Sequence, residues 1–107
     1  MSTHADHEEI LRNALQLVSQ DPTNDAGWEA AESSARALQR PDEVIERYRE
    51  ALERTDSPGI ASKLGERALA FLEEWSGDTA ARVVVLDAVL RADASDQWAF
   101  ERLTMLY

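Results

Sequence analysis

The sequence predicts an all-α protein of about six helices. Three observations carry that reading. Apolar residues recur at helical rather than alternating spacing along the 107 residues, turn signals interrupt them at short intervals, and the one β-like run, Val83-Val84-Val85-Leu86, has no second strand to pair with.

The first apolar run is Ile10, Leu11, Ala14, Leu15, Leu17 and Val18. It follows an Asp6 to Glu9 spacing that supplies an N-cap and its reciprocal acid, which sets helix one at residues 6–19. Pro22 ends it, because proline disfavours helical conformation in the residue before it, and Asn24 or Asp25 can cap helix two, which runs to about residue 39. Pro41 stands at a first helical position, where its missing N–H costs nothing. Helix three then carries Val44, Ile45, Tyr48, Ala51 and Leu52 to residue 54. Ser57-Pro58 repeats the device for helix four, whose Ile60, Leu64, Ala68, Phe71 and Trp75 form an apolar stripe stopped by Ser76-Gly77. Helix five covers residues 78–91. Alanines before the valine run and Asp87-Ala88-Val89-Leu90 after it make a segment too long for a typical strand, and its continuous apolarity implies a helix covered on two sides. Ser95 or Asp96 caps helix six, which holds Trp98, Phe100, Leu103, Met105, Leu106 and Tyr107.

Composition narrows the function classes. The formal net charge is -10, with every segment acidic, which repels phosphate backbones and anionic lipid surfaces. Nucleic acid and membrane are therefore not expected partners. No stretch reaches the roughly 18 uncharged apolar residues of a membrane span, and the polar, acidic start is unlike a signal peptide, so the expected location is cytoplasmic. The absence of cysteine removes disulfides, thiolate nucleophiles and thiolate metal sites, and no cofactor is expected.

Comparing the chain with itself at a shift of 37 aligns Arg54-Thr55-Asp56 with Arg91-Ala92-Asp93, Tyr48 with Val85, Ala51 with Ala88 and Ala31 with Ala68, while Trp28 and Trp98 stand 70 apart. One helical hairpin per period of this size resembles the tetratricopeptide repeat, whose unit is about 34 residues. Asp21-Pro22-Thr23-Asn24-Asp25-Ala26-Gly27-Trp28 is similar to that family's joint-to-Trp segment, and Val44, Tyr48 and Ala51 fall on its small-aromatic-small triplet, repeated by Ala81, Val85 and Ala88. The chain departs from the family at Glu32, where a small residue is usual, at Ala35, which replaces a Tyr, and at Leu64, which replaces a Trp. The resemblance implies antiparallel hairpins stacked as a short right-handed superhelix. After a flexible leader at 1–5, the repeat domain would span 6–107: a second-helix-like start at 6–19, repeat one at 21–55, repeat two at 56–92 and the first helix of an incomplete repeat at 93–107.

Residues with catalytic chemistry are sparse. The four glycines are too widely separated for a phosphate loop, and both histidines, His4 and His7, lie near the start, away from any expected cleft. Asp42, Glu43, Glu46, Glu50 and Glu53 interleave with Arg47, Arg49 and Arg54 at i,i+3 and i,i+4 spacing, the pattern of a solvated helix face. Glu32 and Asp42 are the expected partners of Arg36 and Arg40. If Met1 is removed, Ser2-Thr3-His4 offers an amine, two amides and an imidazole, a nitrogen set that suits Cu(II) or Ni(II). A third-position histidine arises often by chance, so this weak candidate is set against a plain flexible tail.

What the resemblance implies is a non-enzymatic scaffold that binds a peptide or helix of another protein, and the N-terminal part of a longer repeat protein. By the family's usual exposure, the binding face would draw on Ala26, Glu29, Ser33 and Arg36 in repeat one and on Ser62, Gly65, Leu69 and Leu72 in repeat two. Arg36 is the only base on that face, so a hydrophobic or basic segment fits better than a terminal carboxylate. The alternatives are a homodimer through helix six, using Trp98, Leu103, Met105, Leu106 and Tyr107, or an adaptor that shields a secreted or unfolded client.

Overall fold

A computed structural model describes the backbone of residues 3–75 and 79–106, with side chains from residue 6 onward. The described residues form six α-helices and no strand: α1 (Thr3–Gln20), α2 (Asp25–Leu38), α3 (Asp42–Arg54), α4 (Pro58–Trp75), α5 (Thr79–Ala92) and α6 (Gln97–Leu106). The all-α class read from the sequence is the class observed. The start of the first helix differs. Helix α1 starts at Thr3, ahead of the Asp6 cap and inside the segment expected to be a flexible leader, and the Ser76-Gly77 stop lies outside the described residues.

The loops follow a common scheme. In loop 21–24 the Asp21 N–H closes the last turn of α1 on the Leu17 carbonyl at 2.8 Å, and the Asp21 carboxylate accepts from the Thr23 N–H and hydroxyl at 3.1 and 2.5 Å. Asn24 then caps α2, its side-chain oxygen accepting the Gly27 N–H at 2.8 Å. Loop 93–96 repeats each bond 72 residues later. Asp93 donates to the Val89 carbonyl at 2.9 Å and accepts from the Ser95 N–H and hydroxyl at 3.0 and 2.7 Å, while Asp96 accepts the Ala99 N–H at 3.1 Å. A shorter version joins α3 to α4: Thr55 donates to the Ala51 carbonyl, its hydroxyl accepts from the Ser57 N–H, and the Ser57 hydroxyl accepts the Ile60 N–H with Pro58 next in line. These caps satisfy donors that a helix N-terminus cannot pair internally.

The α2–α3 joint is different. Gln39 takes a left-handed conformation, φ 55 and ψ 43, so that its N–H reaches the Arg36 carbonyl at 3.2 Å and the Arg40 N–H reaches the Ala35 carbonyl at 2.9 Å. This is the paired bonding of a Schellman stop, in which glycine usually occupies the left-handed position. Pro41 follows, its carbonyl accepting the Ile45 N–H.

The chain divides within α3 into two compact units, Met1–Arg47 and Tyr48–Tyr107. In the first, α1 packs on α2. Leu11, Ala14, Leu15, Val18, Trp28, Ala31, Ala35 and Leu38 are buried. The Trp28 indole donates to the Pro22 carbonyl at 2.9 Å, tying the buried ring to the loop that positions it. Gly27 sits where α2 nears α1: a Cβ there would lie 2.9 Å from Val18 Cγ1. Ile10 and Leu17, expected in the buried run of α1, share a flank two turns apart and are exposed.

In the second unit α5 packs against both α4 and α6. That two-sided cover explains why its valine run is helical: Val85, Leu86, Ala88 and Val89 are buried, with only Val84 of the run exposed. Helix α4 buries two rows rather than one stripe, since Ala61, Gly65, Leu69 and Leu72 are buried along with Leu64, Ala68 and Phe71. Helix α4 approaches α5 closely at Gly65. A Cβ at this position would lie 2.3 Å from Val89 Cγ2, with the Trp98 ring edge at 3.8 Å. Val89 is fully buried and β-branched, so it cannot swing aside cheaply.

Three stability predictions rest on these glycine and left-handed positions. G65A is expected to lower unfolding stability by about 1–2 kcal/mol, overpacking outweighing the helix-propensity gain, and to cost less in a V89A background. G59A, where nothing lies within 4 Å of an added Cβ, should instead raise stability by about 0.4–1 kcal/mol. Urea unfolding of the four variants reads both signs. By the same measurement Q39G should gain about 1 kcal/mol, because glycine carries no Cβ penalty at positive φ.

Candidate functional site

On α2, Ala26, Glu29, Ser33 and Arg36 form one exposed row, as expected for the presumed binding face of repeat one. Arg36 does not stand alone there. Its guanidinium pairs with Glu32 at 3.4 Å, and Glu32, at the position where the tetratricopeptide family carries a small residue, is almost wholly buried. The corresponding face of repeat two is not available. Leu69 and Leu72 are buried, Gly65 is buried at the α4–α5 contact, and Ser62 is half-buried, because the second apolar row of α4 is spent inside the unit. The two leucines proposed as partner-binding residues are therefore core residues.

Several charges of the first unit are paired. Arg40 bridges Glu8 of α1 at 3.2 Å and Glu43 of α3 at 3.0 Å, in place of the expected Asp42. A cavity of about 210 Å³ lies beside this bridge, over Leu11 and Leu15, with Arg12 and Arg47 at its edge. These pairs are about half exposed and contribute roughly 0–1 kcal/mol each. On α3, Arg49 pairs with Glu53 at 2.6 Å, which fits a solvated face.

Helix α6 holds the informative surface. Of the expected self-association residues, Trp98, Leu103 and Leu106 are half-buried, Met105 is 80% exposed, and Tyr107 lies outside the described residues. Phe100, absent from that set, is 61% exposed. It stands about 140° around the helix from Met105 at about 100° per residue, so the apolar side chains do not form one face.

The register of the loops explains Phe100. Spacing Trp28 against Trp98 gives 70 residues, but the hydrogen bonds repeat at 72, which places Phe100, not Trp98, in the position of Trp28. Both follow the cap by the same number of residues, and both N–H groups donate to the cap carbonyl. Trp28 is fully buried there and Phe100 is not. The signal was present in the sequence: Asp21-x-Thr23-Asn24-x-x-Gly27-Trp28 against Asp93-x-Ser95-Asp96-x-x-Ala99-Phe100.

A second cavity, also of about 210 Å³, lies in the second unit among α4, α5 and α6. Leu69, Leu86, Met105 and Leu106 line it, with Glu73, Arg82 and Arg102 as its polar members. Arg102 contacts Glu73 at 3.5 Å and lies over the Trp98 ring at 5.8 Å from its centroid.

Among the described residues no group of three or more His, Asp or Glu could hold a metal ion, and no helix is long and apolar enough to cross a membrane. The side chain of His4, the candidate copper ligand, lies outside the described residues. No protein-family model matches the chain, and a search of curated proteins finds no match to it.

Proposed function

We propose that this chain is a tetratricopeptide-like helical repeat that binds a segment of another protein, without chemistry of its own, in the cytoplasm and as part of a longer repeat protein. The recurring loop scheme supports the repeat, since chemically equivalent side chains close the same turns at two joints and a shorter version closes a third.

The observation that carries the binding role is the contrast between Trp28 and Phe100. One joint geometry sends an aromatic into the core from α2 and into solvent from α6. Covering a ring of this kind is worth about 1.5–3 kcal/mol, and Met105 adds exposed apolar area elsewhere on α6. The net charge of -10 favours a partner whose segment is basic around its apolar residues. A second reading, self-assembly of two copies through α6, draws on the same exposed side chains. Shielding of an unfolded or secreted client is the remaining alternative.

The test is the pair F100E and M105E. Both residues are exposed, so each variant should keep its unfolding free energy within about 0.5 kcal/mol of the parent chain. Affinity capture followed by mass spectrometry should then show a partner retained by the parent chain and lost by F100E. Light scattering on the same samples separates the readings, because a parent dimer converted to monomer by F100E supports self-assembly. A large loss of stability in F100E would show that the ring belongs to the core and would overturn both.

A further inference from the structure

The cavity among α4, α5 and α6 combines features that the protein-binding reading does not use. Its floor and rim are aliphatic, from Leu69 on α4, Leu86 on α5 and Met105 and Leu106 on α6. Among the described residues its charged members are two arginines and one glutamate, in a chain whose formal charge is -10. Glu73 is engaged with Arg102, which is also steadied over the Trp98 ring. Arg82 is placed differently. Its Nε is buried and finds no hydrogen-bond acceptor among the described residues. Its guanidinium borders the cavity, where it offers a carboxylate charge-assisted bonds.

We propose that this cavity is a binding site for a small aliphatic monocarboxylate, its acid group received by Arg82 and Arg102 and its hydrocarbon chain by Leu69, Leu86, Met105 and Leu106. Size fits the chemistry. An engineered apolar cavity of about 150 Å³ binds benzene, whereas drug-sized sites begin near 300 Å³, so about 210 Å³ suits an acid of about six carbons. Charge fits it too. Among the described lining residues Glu73 neutralises one arginine, which favours a single negative charge over phosphate or a dicarboxylate. The same chemistry is offered by a free short-chain acid and by the terminal carboxylate of a peptide ending in leucine.

The experiment is an NMR chemical-shift titration of the full chain, following the amides of Arg82, Leu86 and Leu106. The probes are hexanoate, hexanol, hexylammonium and adipate, with a short peptide ending in leucine as free acid or amide. Hexanoate should saturate and bind about tenfold or more tighter than hexanol, with hexylammonium and adipate weaker, as expected for hydrogen bonds to a charged group. R82Q should lose about the same factor for hexanoate and little for hexanol. Tighter binding of the peptide acid than of hexanoate and of its own amide assigns the site to a chain terminus, and the reverse order assigns it to a free acid. Equal binding of hexanol and hexanoate, preference for hexylammonium, absence of saturable binding, or an unchanged R82Q would each overturn the proposal. Should R82Q fail to fold by circular dichroism, the ligand series on the parent chain decides the matter alone. F100E, which lies outside the cavity lining, should bind hexanoate as the parent does, so this result stands independently of the protein-binding reading.

Discussion

A side chain folded back on the backbone two residues later fixes where the helices begin. Asp21 and Asp93 each gather the N–H and hydroxyl of a following Thr23 or Ser95, and this bend places Asn24 or Asp96 as the cap of the next helix. Successive residues of a helix differ by about 100° around its axis, so the cap sets the phase of every side chain after it. Slip the cap by one residue and Trp28 leaves the core. The bonds are local and individually modest, about 0.5–2 kcal/mol for a cap, but they decide which surface each helix offers to its neighbours. The exposed position of Phe100 is a consequence of the same arithmetic that buries Trp28.

Within the second unit, close approach is the other constraint. Gly65 lets α4 lie against Val89 without a Cβ between them, and Trp98 of α6 closes over the contact. Having α5 covered on two sides converts a β-branched run into a buried helix face. Farther along, Leu69 lines the cavity that Arg82 and Arg102 border. The tight contact and the open one lie on the same row of α4, with Gly65 at one and Leu69 at the other.

Much of the fold was legible because breakers and caps are strong local signals. Pro22, Pro41 and Ser57-Pro58 marked three joints, and α4 starts at Pro58 as read. The end of α2 was harder to read, since its stop uses a left-handed Gln39 where glycine would have announced it. Surface assignment fared less well. Leu69 and Leu72 looked available because α4 was read as one apolar stripe, whereas a helix packed on more than one side buries two. Trp98 was matched to Trp28 by residue type, but the hydrogen-bonded register matches Trp28 to Phe100. Polar loop residues carried the better alignment, because they set the phase and the aromatics only follow it. The charge of Arg82 was visible in the sequence, but its place beside a cavity depends on three helices and could not be.

Both units thus take the position of their chemistry from their joints, and the partner-binding role proposed for α6 depends on the joint before it. Comparing D21A with D93A by denaturant unfolding tests that dependence most directly. The account predicts that each variant loses about 1 kcal/mol, in line with the loss of a capping side chain, and that near-ultraviolet circular dichroism changes as the following aromatic is released from its phase. If either variant matched the parent in stability and spectrum, the repeated loop would be incidental, and the register that places Phe100 in solvent would have to arise elsewhere.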